Sequence, residues 1–395
     1  MMKFASLLRT ALYGGLAAVS LYSAFLALLT LPLLQNQVIY LNAVTLTWFQ
    51  DVNVPEQWGF LRNQVTPFTL KTADGHSLHA WHVLPLKLYQ EHEAELIHQS
   101  LGHASDITQT RGFKLLRDNP DALLVLYFHG AGGTLGSGWR PPSYRAMSAL
   151  APDKIHTLSI DYRGFGCSTG TPSEAGLLAD ASAVAEWAMN VAGIPPSRIV
   201  LFGQSLGTAV SVALALQYAT LTEPILFSGL VLVAPMANVQ LLTATYSVAG
   251  IIPILGPVAR FPKLLAWLNT FIRDKWRTDE KLAELVRVYE HLPDESLRYH
   301  ITFIHAKDDY TIPWVHSDIN FWYAVNASTP AGVSTAHLED FKASSKVPLG
   351  AESWNVEWKA NRGRIREHIL QYGLHDRIMS YPVVSRAIMR AFDGN

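Results

Sequence analysis

Gly203-Gln204-Ser205-Leu206-Gly207 fits the pattern G-x-S-x-G. A serine hydroxyl is a weak nucleophile until a neighbouring base takes its proton, so the surroundings decide what the pattern means. The run Arg198–Phe202 precedes it with strand character, and the helix-competent run Thr208–Tyr218 follows. That is the strand–turn–helix setting in which a nucleophilic serine stands at the top of a sheet. The flanking glycines suit a strained turn where neighbouring side chains would clash. Ser205 is the expected nucleophile.

Acyl transfer through a serine also needs a base, an acid to orient it, and two N–H donors for the oxyanion. Asp308 and Asp309 follow the strand run Ile301–His305, and either carboxylate could orient a histidine from a strand's carboxyl end. The α/β-hydrolase order along the chain is serine, acid, histidine. The base then belongs among His316, His337, His368 and His375. His368 lies in the charged run Arg364–Leu370, which reads as a helix. His375 follows Gly373 and precedes a C-terminal helical run, so its backbone can turn toward the sheet edge; it is the expected base. His129-Gly130-Ala131-Gly132-Gly133 follows the strand Leu123–Phe128. No Gly-Lys-Ser/Thr follows it, so it is not a P-loop. It reads as an oxyanion loop, with the backbone near Ala131 giving one N–H and Leu206 the other, and with His129 structural. Cys167 has no positional relation to a base. His79 and His82, three apart on a strand, point to opposite faces and make no metal pair. The Trp-rich segment 354–358 reads as packing or membrane-edge contact. No metal or organic cofactor is implied.

The elements that must position these residues are legible as alternation. Apolar runs at Ala122–Phe128, His156–Ile160, Ile199–Phe202, Gly229–Val233 and Ile301–His305 are each followed by helix-length segments. This predicts an α/β fold, a mostly parallel central sheet with helices on both faces. The runs 68–72 and 78–84 around Asp74-Gly75 predict a hairpin. Ala175–Val191 predicts a helix, and 88–115 reads as a polar surface insertion. Pro224–Ala259 carries no charge, but Pro235, Asn238, Gln240, Pro253 and Pro257 interrupt any spanning helix. It reads as an apolar cap over about 237–300.

Charge-poor composition has a location. Of the 395 residues, 49% are hydrophobic and 16% charged, against about 25% charged in an average globular chain. Lys+Arg 31 against Asp+Glu 32 leaves a net charge of -1, which offers nothing to neutralise nucleic acid phosphates. The single cysteine excludes an internal disulfide framework or a multi-cysteine metal site. From Ala11 to Leu34 no residue is charged. About 20 apolar residues span a bilayer, and no A-x-A cleavage pattern follows. The expected layout is a cytosolic terminus over 1–10, an uncleaved signal anchor over 11–34, a juxtamembrane connector over 35–64 and a hydrolase domain over 65–395. Lys3 and Arg9 before the span, with the first base after it at Arg62, put the N-terminus in the cytosol. The catalytic body then faces the lumen, with the endoplasmic reticulum as the expected organelle. There the sequon Asn326-Ala327-Ser328 could be glycosylated.

The chain resembles the membrane-anchored serine lipases of the abhydrolase-domain-containing protein twelve group. The resemblance rests on HGAGGT (129–134), DYRGFGCSTGTPSEAG (161–176), GQSLGT (203–208), LVAPMAN (232–238), HAKDDYTIP (305–313) and a tail H-x6-Y-P (375–382). It implies Asp309 as the acid and His375 as the base. The implied substrates are monoacylglycerols or lysophospholipids. The sequence departs at Gln204, where histidine is usual, at Ala131-Gly132, where Asn-Ala is usual, and in an insertion over 325–365. On the residues alone, a thioesterase, small-ester esterase, acyltransferase or silent membrane scaffold on the same fold stays open.

Overall fold

The computed structural model describes residues 2–245, 247–248, 252–253 and 255–394. Ten strands form one sheet: β1 (Val65–Lys71), β2 (Ser77–Val83), β3 (Leu123–Phe128), β4 (Ile155–Ile160), β5 (Ile199–Gln204), β6 (Gly229–Val233), β9 (Tyr299–Ala306), β10 (Val347–Gly350), β11 (Ser353–Lys359) and β12 (Gly363–Leu370). A two-residue pair, β7 (Ser247–Val248) and β8 (Ile252–Pro253), lies outside it. The sheet order is β1-β2-β4-β3-β5-β6-β9-β12-β11-β10. The stretch from β4 to β12 is parallel, and the flanks are antiparallel. Continuous apolar strands such as Leu123–Phe128 are what a parallel sheet covered on both faces demands. Leu124, Leu126 and Phe128 enter the core on one face, and Val125 and Tyr127 the core on the other.

The expected hairpin is β1–β2, and the Ala175–Val191 helix runs as Glu174–Glu186 with a π turn to Val191. The 88–115 segment buries Leu88, Tyr89, Leu96 and Leu115 in a small core of its own with Leu84. The 325–365 insertion adds β10 and β11 to the sheet edge. One reading reverses: Arg364–Leu370 is the body of β12, not a helix. Ile365 and Ile369 are four apart, a spacing that lies on one face in a helix and in a strand alike, and only pairing with β9 and β11 decides between them.

The N-terminal helix spans Met2–Leu28, and Ser6–Leu28 is long and apolar enough to cross a membrane. It stops short of Leu34. Pro32 pushes the residue before it out of the helical region, and Leu31 sits extended at φ -79°, ψ 128°. A separate helix, Pro32–Tyr40, begins there with the proline in its first turn. The end of the segment expected as a cap over 237–300 belongs to the body of the fold. The Thr278–Glu290 helix buries Leu282, Leu285 and Val286 in the main core, and Tyr299 opens β9. The sequon closes the Val315–Ala327 helix; Ser328 is buried and the Asn326 amide oxygen accepts the Val333 N–H at 2.7 Å.

Candidate active site

Ser205 stands between β5 and the Leu206–Ala219 helix at φ 54°, ψ -121°, a conformation L-residues rarely adopt. The turn closes so tightly that a Cβ on Gly203 would strike the Gly207 backbone, and one on Gly207 would strike the Phe128 carbonyl. That is the physical requirement behind the two glycines. The Ser205 N–H donates to Val233 O at 3.0 Å, and its carbonyl accepts the Thr208 hydroxyl at 2.6 Å.

Asp309 follows β9. Its Oδ1 accepts the Thr311 and Ile312 N–H groups at 2.8 and 2.9 Å. Its Oδ2 lies 2.7 Å from His375 Nδ1 and 3.2 Å from His305 Nε2. A carboxylate can only accept, so His375 carries its proton on Nδ1 and leaves Nε2 as the basic nitrogen. Burial disfavours the charged His375 ring, but the Asp309 charge and hydrogen bond, with Asp376 beyond, outweigh it and hold its pKa above the ordinary value. Burial likewise opposes the Asp309 carboxylate, yet His375 and His305 hold its pKa well below the usual range.

The ambiguity between the two aspartates is resolved by position. Asp308 accepts the Leu374 N–H at 2.8 Å, so it shapes the loop and leaves the imidazole to Asp309. Gln204 reaches the same loop, donating to His375 O at 3.3 Å and Asp376 Oδ1 at 3.0 Å. The rival histidines lie elsewhere. His316 is buried between Ala237 N–H and Thr245, His337 is exposed, and His368 faces away on β12. Cys167 is an exposed residue outside the cavity, and partial desolvation of its thiol, with the Asp161 and Asp51 charges, raises its pKa.

The loop 129–133 comes to Ser205 from β3. Gly132 and Gly133 take φ +66° and +70° and donate their N–H groups to Tyr40 O at 2.7 Å and Val44 O at 2.5 Å. Arg140, buried, gathers the carbonyls of Gly130, Gly132 and Thr134. Among the described residues no protein acceptor engages the N–H of Ala131 or Leu206, and both residues line the cavity beside Ser205. His129 packs beneath, its ring 4.4 Å from that of Tyr162. Sequence reasoning left Asp308 as a rival acid and missed His305, Arg140 and the connector's two carbonyls. Nothing in spacing marks them, because their roles depend on contacts across the fold.

Ser205, His375, Ala131 and Leu206 share a mostly apolar cavity of ≈ 380 Å³. The segment 239–272 contributes Val239, Leu242, Leu268 and Ile272 to its wall, Leu26 comes from the end of the N-terminal helix, and Leu29 and Thr30 from the turn just after it. Within that helix the described side chains are exposed throughout, except Tyr22 and Leu26, four apart on one face. Gln35 joins the two parts, donating to Phe271 O at 2.8 Å and accepting the Arg273 N–H at 3.1 Å.

A sequence profile of the alpha/beta hydrolase fold matches residues 124–324. The chain belongs to the α/β-hydrolase fold family. Within the family, it is 30% identical over 209 residues to lysophosphatidylserine lipase ABHD12 of Xenopus tropicalis, covering 53% of this chain and 48% of that protein. It is 28% identical over 301 residues to human Protein ABHD12B, covering 75% and 71%. The chain thus spans about half the length of the lysophosphatidylserine lipases it resembles. An α/β hydrolase from Vibrio vulnificus, known from its crystal structure, superposes with a TM-score of 0.55 at 17% identity, covering 92% of this chain and 94% of that one. At that identity the likeness establishes the fold.

Proposed function

We propose that this α/β hydrolase is a serine esterase that cleaves fatty-acyl esters of membrane-derived lipids, monoacylglycerols or lysophospholipids. Ser205 Oγ attacks the acyl carbonyl while His375 Nε2 takes its proton. Asp309 fixes the imidazole and stabilises the imidazolium. The Ala131 and Leu206 N–H groups receive the oxyanion. His375 then hands its proton to the leaving alkoxide, giving an acyl-serine and a free alcohol. Water, deprotonated by the same nitrogen, releases the fatty acid and restores Ser205.

The observation that carries this reading is the shared cavity: an Asp309-bound imidazole and a left-handed serine face one apolar chamber. A chamber of this size suits one small ligand, and its apolar walls suit an acyl chain. The resemblance to lysophosphatidylserine lipases points to a lipid headgroup of the same class. The N-terminal helix is the membrane anchor, with its start in the cytosol and the hydrolase in the lumen of the endoplasmic reticulum. Leu26 near its end, with Leu29 and Thr30 just beyond it, forms part of the cavity wall, so a lipid reaches Ser205 from the bilayer without crossing water. The reading is tested with a fluorophosphonate probe on the full chain. Wild type is labelled and turns over a monoacyl ester; Ser205→Ala does neither and melts as wild type does. Labelling that persists in Ser205→Ala moves the nucleophile elsewhere, and an unlabelled wild type leaves a silent scaffold.

A further inference from the structure

A second cavity, ≈ 260 Å³, lies at the far edge of the sheet among β10, β11, β12 and the Pro382–Asp393 helix, and shares no lining residue with the first. Arg366 and His368 alternate onto one face of β12. Arg386 and Arg390, four apart, come from the helix, and all four residues line the cavity. Glu357 is the one carboxylate among the lining residues. Both its oxygens are taken, Oε1 by Arg364 and Oε2 by Arg366, each at 2.6 Å. Arg364 and Arg366 therefore occupy the one carboxylate. Among the described residues the guanidinium groups of Arg386 and Arg390 have no hydrogen-bond or ion-pair partner. Arg366 Nη1 and His368 Nδ1 are buried without a partner, in residues 4% and 5% exposed.

This surplus is unfavourable as it stands. Like charges four apart on a helix repel, although Arg386 is exposed and Arg390 half-buried, and the buried Arg366 guanidinium has Glu357 at Nε and no partner at Nη1 to offset its lost hydration. Burial and the neighbouring arginines hold the Arg390 pKa below its ordinary value and push His368 down to about 3. His368 is then neutral and open to hydrogen bonding. Planar guanidinium forks are suited to oxyanions with several acceptor atoms, phosphate above all. We propose that this cavity binds a phosphate group, free or carried by a lipid headgroup, through Arg366, Arg386 and Arg390. The exposed apolar residues Val347 and Leu349 on its rim would meet the rest of a lipid ligand. The site is independent of the esterase chemistry, and neither stands or falls with the other.

The test uses the purified full chain in detergent micelles, melted in inorganic phosphate and in chloride at equal ionic strength. Phosphate is expected to raise Tm above the chloride value. Arg386→Gln/Arg390→Gln is expected to melt higher than wild type in chloride, because repulsion is removed, and to bind phosphate at least about tenfold more weakly. Lipid discs separate the two sources. If phosphatidic acid in the disc abolishes the phosphate response, the headgroup occupies the site; if the response persists, the free anion does. A wild-type Tm that phosphate moves no more than chloride overturns the proposal. So does a double variant that responds to phosphate as wild type does.

Discussion

Asp309→Asn tests the proposed division of labour at its most sensitive atom. The carboxylate makes four contacts: Oδ1 holds the Thr311 and Ile312 N–H groups, and Oδ2 faces His375 Nδ1 and His305 Nε2. An amide has one oxygen and can serve one pair. If it keeps the two backbone donors, its NH2 group points at His375 Nδ1. The imidazole then carries its proton on Nε2, and the nitrogen proposed to take the serine proton can no longer accept. Such a tautomer error costs about four powers of ten in kcat, or about 5 kcal/mol in the barrier. Stability falls much less, by about 1–3 kcal/mol, because both backbone bonds survive and His305 keeps its 2.9 Å bond to Ile312 O. Steady-state turnover of a monoacyl ester, paired with thermal melts, reads both quantities. The pH profile adds a third measure. With Asp309 raising the His375 pKa, wild-type activity is lost as pH falls through a value above about 6.5. Residual activity in Asp309→Asn should show that limb at lower pH. The companion Asp308→Asn, whose carboxylate accepts the Leu374 N–H and no other hydrogen bond among the described residues, should lose about tenfold at most, since a single weakened hydrogen bond is worth about 1 kcal/mol. A kcat within about tenfold of wild type in Asp309→Asn, or equal losses in the two variants, refutes the reasoning.

His375→Ala should abolish turnover, whereas His368→Ala, on a strand facing the other cavity, should keep wild-type activity; the reverse result would reassign the base. Gly207→Ala drives a methyl into the Phe128 carbonyl and should cost about 3 kcal/mol or more, read as a large fall in Tm. Gly14→Ala, with nothing near its Cβ, is the control that should melt as wild type. The Asp309–His375 pair also predicts a stability window. The depressed Asp309 pKa gives stability present above about pH 3.9 and lost as pH falls through the folded value. The raised His375 pKa gives stability present below about pH 6.5 and lost as pH rises through the folded value. The Tm difference between wild type and Asp309→Asn should therefore peak between those limits, and a difference flat across pH would count against the pair.

Periodicity and local sterics are properties of the chain itself, and they determined much of this protein. Continuous apolar runs identified the parallel strands, because a strand buried on both faces has no polar side to show. The elbow was legible because a serine in a left-handed turn needs glycine neighbours wherever it occurs. The uncharged N-terminal run announced a helix fit for a bilayer, although Pro32 ended it earlier than composition suggested. Contacts between distant segments were not legible. Asp308 and Asp309 are adjacent and chemically identical; only the approach of the 374–375 loop gives one a backbone N–H and the other an imidazole. Ile365 and Ile369 fit a helix or a strand equally well, and pairing with β9 and β11 chose the strand, taking His368 away from the serine. Arg140 and the carbonyls of Tyr40 and Val44 shape the loop beside Ser205 from segments that no local pattern connects to it. The tertiary structure also made the end of the N-terminal helix a wall of the cavity. Sequence fixes what each segment can bury, but the partner against which it is buried is set by the assembled fold.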